Sequence, residues 1–194
     1  MNLSHSFLKG LEYSFFLEQL IFLLFTLSIF SLYSMKDWPK AMNIFFIFLV
    51  SFLAVLGLTI LEIIYVDASI VKVVVYSFIF VIAIFNLFTG TTNTNSRRKD
   101  KEKYRKPLAG ISGVLCSFYV QNVLLGRSTI ADFSKLPTNI LINTGIIIGL
   151  LIVLMIVMMF GSIFTITLGL KKKEWLLLCT GAAVSMSILC LTAF

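Results

Sequence analysis

The sequence predicts an all-α polytopic membrane protein, a single domain built as a bundle of six transmembrane helices. Three observations carry this expectation. Hydrophobic residues make up 59% of the 194 positions and charged residues only 13%, against roughly 25% charged in soluble domains. Mean hydropathy is +1.00, which excludes a disordered chain. The apolar residues also fall in continuous runs, and about 20 apolar residues as a helix cross a bilayer core of roughly 30 Å.

Six runs meet that requirement: Phe15 to Tyr33, Ala41 to Val66, Ile70 to Gly90, Leu108 to Gly126, Thr138 to Leu170 and Trp175 to Phe194. The fourth is the least apolar. The fifth is long enough to tilt or to project beyond the bilayer. Unbroken stretches such as Ile146 to Phe160 fit helices, which satisfy their own backbone in lipid; barrel strands would be shorter and alternating. The chain start is a poor signal peptide, with Lys9 as its lone positive charge and Glu12 and Glu18 interrupting the apolar region. The first helix is expected to stay, and residues 1–14 to form a short interfacial lead-in.

Charge placement gives an orientation. Sixteen Lys and Arg stand against nine Asp and Glu. Twelve of the sixteen lie in alternate loops: Lys36 and Lys40; Arg97, Arg98, Lys99, Lys101, Lys103, Arg105 and Lys106; Lys171, Lys172 and Lys173. Lys9, Lys72, Arg127 and Lys135 fall on the opposite side. The positive-inside rule then puts both termini outside the cytoplasm, with a bacterial inner membrane as the expected location. Trp38 and Trp175 fall at the cytoplasmic interface, where an indole is favoured. The basic stretch from Thr91 to Pro107 reads as a solvated connector near anionic lipid. The expected partners are the lipid bilayer and other membrane proteins or further copies of this chain. Nucleic acid is not expected, because a basic balance in so apolar a chain points to membrane orientation.

Little catalytic chemistry can be assembled. His5 is the only histidine, and Cys116, Cys179 and Cys190 form no CxxC pair. No Ser-His-Asp, Cys-His or metalloprotease spacing exists. Neither an enzyme nor a bound cofactor is expected.

The order of motifs resembles the HupE/UreJ family of nickel or cobalt permease-like membrane proteins over nearly the whole chain. The opening reads Gly10-Leu11-Glu12-Tyr13, then Glu18-Gln19-Leu20; Trp38 precedes helix two; Phe52 to Thr59 follows; helix three carries Asn86 near its end; helix four reads Ser112-Gly113-Val114-Leu115-Cys116; helix five opens at Asn143-Thr144-Gly145. The family's histidine positions are filled here by Tyr13, Gln19, Leu56 and Cys116, and its Glu and Gln of helix five by Ile147 and Leu150. The resemblance implies a transporter fold. Nickel and cobalt favour imidazole, so the residues present argue against that fold's usual cargo, and no metal site is expected.

Candidate positions follow from polarity at membrane depth. An intramembrane carboxylate such as Glu18 usually faces protein or water; it is an ion ligand, a partner contact or an interfacial residue, and Gln19 can reinforce any of these. Glu12 lies six residues earlier, about 240° away on a continuous helix, so the two acids do not share a face. Glu62 and Asp67 read as interfacial, pairing with Lys72. Asn86, Gln121, Asn122 and Asn143 are polar intramembrane positions, read as helix packing or as an outward polar vestibule. Gly110, Gly113 and Ser117, and likewise Gly145, Gly149 and Gly161, allow close helix approach. Met155, Met158 and Met159 read as lipid or core packing. Two functions compete. One is a non-catalytic scaffold subunit acting through association with membrane proteins. The other is a permease for a divalent metal or other small solute, rebuilt around Glu12, Glu18 and Cys116.

Overall fold

The computed structural model describes residues 3–15, 20–31, 33, 35–61, 63–64, 66–90, 97–125, 136–167, 169 and 171–192. Among these, all regular structure is helical: α1 (Leu3–Phe15), α2 (Leu20–Phe30), a 3-10 turn (Met35–Asp37), α3 (Trp38–Ile60), α4 (Ala68–Gly90), α5 (Arg97–Tyr119) running on into a π-helical segment (Val120–Leu125), α6 (Leu136–Ile166) and α7 (Lys172–Thr192). The protein is all-α. Five of its helices, α3 to α7, are long and apolar enough to cross a membrane, and α2 is a shorter apolar helix.

Three close helix pairs, α1 with α6, α3 with α5 and α4 with α7, are arranged about α2, which touches α1, α4, α5, α6 and α7. The α2 sequence, LIFLLFTLSIF, is apolar on every side, the pattern of a helix buried all round. Ile21, Phe22, Leu24, Phe25, Ile29 and Phe30 are accordingly buried, and Leu23 alone of the helix's described large side chains is exposed. A small apolar cavity of ≈ 10 Å³ lies among Phe25, Ile29, Phe45, Phe48 and Leu150, about room for one water.

The four last carbonyls of a helix have no partner within it. In α2 each finds one elsewhere. Ser31 N–H donates to the Leu27 carbonyl and Tyr33 N–H to that of Phe30. The Asn86 amide of α4 donates to the Ser28 carbonyl. The Arg105 guanidinium of α5 reaches the Ile29 carbonyl at 3.4 Å and sits 5.1 Å over the Tyr33 ring. That is why so apolar a helix can stop after 11 residues within the bundle.

The structure revises the reading of residues 1–14 as a lead-in. Leu3–Phe15 is a helix packed along α6. Ser6, Gly10 and Ser14, four apart, bring one small face to the contact, and Ser6 and Ser14 are buried. A Cβ on Gly10 would overlap the Ile142 carbonyl; one on Gly145 would overlap the Phe7 carbonyl; one on Gly149 would overlap the Ser14 side chain. Close backbone approach through small residues is a standard means of joining helices in lipid. The Ser14 hydroxyl donates to the Ile146 carbonyl at 3.1 Å, and Met35 N–H donates to Ser162 at 3.0 Å. The contacts on α6 thus range from Ile142, beside Gly10, to Ser162, beside Met35, a separation of about 30 Å at 1.5 Å per residue. Both α1 and α2 lie against α6.

A second revision concerns the basic stretch before Pro107. It is a helix from Arg97, and α5 runs through Pro107. Lys and Arg are good helix formers, which helps offset the cost of about 3 kcal/mol that an interior proline brings through its missing N–H and its clash with the carbonyl four residues back. The three basic segments share one end of the bundle: Arg105 lies over Tyr33, Met35 beside Lys36 meets Ser162 near the end of α6, and Trp175, just after the lysine triplet, stacks on Phe164 at 5.2 Å.

Helix ends are capped where the chain turns. Asp67 accepts from Ser69 N–H at 2.8 Å, the N-cap bond of α4. That backbone bond holds the Asp67 carboxyl below its usual pKa. At α7 the Glu174 carboxylate accepts from Lys171 N–H at 3.0 Å, half of a capping box. Within the helices Thr26, Thr59, Ser112, Thr180 and Ser187 return their hydroxyls to the carbonyl four residues back, so no water is needed there. Outward faces are apolar, with Ile70, Val81, Phe88, Leu178 and Leu189 all exposed.

Candidate functional site

The most polar buried region lies where α5 passes into its π-helical segment. The helix arrives with Ser112, Cys116, Ser117 and Tyr119 all buried. Tyr119 meets Phe22 of α2 edge-on, at 6.3 Å and 87°, and lies close to Tyr76 of α4. Gln121 and Asn122 follow, both buried. Asn139 and Asn143 come from the first turns of α6, also buried.

These amides form a directed chain. The Asn143 NH₂ donates to the backbone carbonyl of Asn139 at 2.7 Å. That leaves the Asn143 oxygen to accept, and the Gln121 NH₂ donates to it at 3.0 Å. Gln121 therefore presents its own oxygen elsewhere. The Asn122 NH₂ donates to the Phe118 carbonyl at 2.9 Å. Among the described residues, Gln121 Oε1, Asn122 Oδ1 and Ser117 Oγ have no hydrogen-bond partner. Buried polar atoms in folded proteins are nearly always paired, so these three stand out. π-helical turns within α-helices are frequent at functional sites.

The other sequence candidates are dispersed. Glu12 is exposed on α1. Glu18, Gln19 and Glu62 lie outside the described residues. Cys116 is fully buried on α5. Among the described residues no three of His, Cys, Asp and Glu come together. Tyr13 is half-buried under the Lys9 ammonium, 5.8 Å from the ring centre. Asn86 joins α4 to α2. Gly113 faces the α3 backbone, where a Cβ would overlap the Phe48 carbonyl; the small face of α5 thus lies inside the bundle. Gly161 faces the Trp175 indole. Met158 is buried while Met155 and Met159 face outward, so the three methionines do not converge.

No family model, curated protein or solved structure matches this chain. Two features escaped the sequence reading. The Ser6–Gly10–Ser14 face of α1 carries a visible signal, small residues at four-residue spacing. Arg105 as the cap of α2 carries none, because its partners Ile29 and Tyr33 are distant in sequence.

Proposed function

We propose that this chain is a non-catalytic integral membrane subunit, a HupE/UreJ-like scaffold that acts by associating with other membrane proteins or with itself. The observation that carries the reading is how the polar side chains at membrane depth are engaged. Asn86, Gln121, Asn143 and Ser14 each bond from one helix to another, or hold the group that does. They knit the bundle together, and the surface it turns outward is broad and apolar. The gathering of Lys36, Arg105 and Lys171 at one end supports that end as cytoplasmic, with both termini on the other side of a bacterial inner membrane. Purification in mild detergent followed by native mass spectrometry tests the proposal. A stable hetero-complex or homo-oligomer is expected; a lone monomer removes the scaffold reading.

A second reading, a permease for a small solute, is favoured by the buried amide oxygens of Gln121 and Asn122. Uptake into proteoliposomes that is lost on Gln121→Leu, with the assembly unchanged, replaces the first reading by the second.

A further inference from the structure

We infer that Ser117, Gln121 and Asn143 form a seat for one small hydrogen-bond-donating guest, water or ammonium, inside the bundle. The inference goes beyond both functional readings and holds for a scaffold and a permease alike.

Ser117 lies near the end of α5, and Gln121, four residues on in the π-helical segment that continues it, follows about one turn later on the same side. Both are 0% exposed. Gln121 is held in one orientation by the amide chain described above, which turns its oxygen away from Asn143 and leaves that oxygen without a partner among the described residues. The Ser117 hydroxyl is unpartnered in the same sense. Asn143 keeps a second lone pair on the oxygen that already accepts from Gln121. At membrane depth bulk water does not reach such groups, so whatever completes them is bound within the protein.

The chemistry of the seat selects its guest. Its free valences are oxygens, so the complement is a hydrogen-bond donor or a cation. All three side chains are neutral amides or a hydroxyl, which does not suit an anion. Calcium takes about six to eight oxygens and magnesium carboxylates with retained waters, more than three neutral side chains supply, and nickel and cobalt take imidazole or thiolate. Water fits, since a buried water commonly makes about three hydrogen bonds to groups that are otherwise unsatisfied. Ammonium is similar in size and also donates through N–H, so the two share one chemistry and must be separated by experiment.

Gln121 is one of only two glutamines, with Gln19. Selective ¹⁵N-glutamine labelling of the full chain in detergent micelles therefore gives two side-chain NH₂ signals, and Gln19→Asn assigns them. If water is the guest, the Gln121 NH₂ shows a cross-relaxation peak at the water frequency that ammonium chloride does not change. If ammonium is the guest, the Gln121 signal shifts saturably with ammonium chloride and not with equal sodium chloride. Either result supports the seat. Ser117→Ala removes one acceptor with little change in volume. It should reduce the water peak at least twofold, or weaken ammonium binding about fivefold. Absence of both signals in the wild type overturns the inference, and so does a signal that Ser117→Ala leaves unchanged.

Discussion

Glycines in membrane helices are read either as packing surfaces or as incidental residues, and two of them here separate the cases. Gly113 of α5 lies against the α3 backbone. A Cβ there would overlap the Phe48 carbonyl oxygen and lie 3.1 Å from both the Phe48 carbonyl carbon and the Phe52 nitrogen. Backbone atoms of a packed helix cannot swing aside as a side chain can. Gly57 of α3 has nothing within 4 Å of the same construction. Alanine at either site gains about 0.5–1 kcal/mol of helix propensity. At Gly113 that gain is opposed by overpacking of about 1–3 kcal/mol. The two variants should therefore differ by about 1–3 kcal/mol. At about 2–4 °C per kcal/mol for a chain of this size, that separates their melting temperatures by several degrees. Thermal unfolding of purified Gly57→Ala and Gly113→Ala in one detergent measures it. Gly57→Ala should match or exceed the wild type, and Gly113→Ala should fall below it. Equal melting temperatures, or a more stable Gly113→Ala, would refute the close α3–α5 approach.

The other expectations concern charge, orientation and metal. Arg105→Leu should lower stability by about 1–3 kcal/mol, through loss of a charged hydrogen bond and a cation–π contact, while Arg105→Lys should fall between, because an ammonium lacks the flat guanidinium face; thermal unfolding of both reads this. A reporter active only in the cytoplasm should work at position 100 and fail at the C-terminus. The Asp67 carboxyl should titrate below 3.8 when followed by carbonyl NMR. Its folded pKa is depressed, so the stability it adds to the α4 cap is present above its unfolded pKa and is lost as pH falls through the folded value. Elemental analysis after gentle purification should find no stoichiometric nickel or cobalt, and metal that disappears in Cys116→Ser would instead support a rebuilt transport site.

Some of this architecture is legible in the chain and some is not, for physical reasons. Long apolar helices announce themselves by composition, because lipid demands the same property at every outward position; α3, α4, α6 and α7 are of this kind. The basic segments are equally plain. The start of α5 is not, since a run from Arg97 to Lys106 has the composition of a loop and Pro107 suggests a boundary. The π-helical segment leaves no mark in Val120–Leu125. Gln121, Asn122 and Asn143 are conspicuous as polar residues in apolar runs, yet only the structure shows which atoms remain unpaired. The spacing of Ser6, Gly10 and Ser14 is visible, but its importance lies in its partner: Gly10 gains meaning only once Gly145 and Gly149 are opposite.

The end of α2 shows most clearly what one segment cannot reveal about itself. Phe15 to Tyr33 contains no proline or glycine, and its run of Leu, Ile and Phe would propagate as helix. What allows the helix to stop is a set of donors for its last carbonyls, and two of these come from side chains 58 and 76 residues away, Asn86 and Arg105. A helix end buried without such partners would be unstable at membrane depth. The short central helix, the amide on α4 and the guanidinium on α5 are therefore one device. Asn86 and Arg105 serve neighbouring carbonyls of the same turn, so their removal should not be additive. Asn86→Leu and Arg105→Leu together should cost less than the sum of the two singly, because the first substitution already frays the end that the second would release. A double-mutant cycle on thermal stability measures the coupling. Strict additivity would mean that the two caps act on independent structures, and that α2 is held in place by its apolar packing alone.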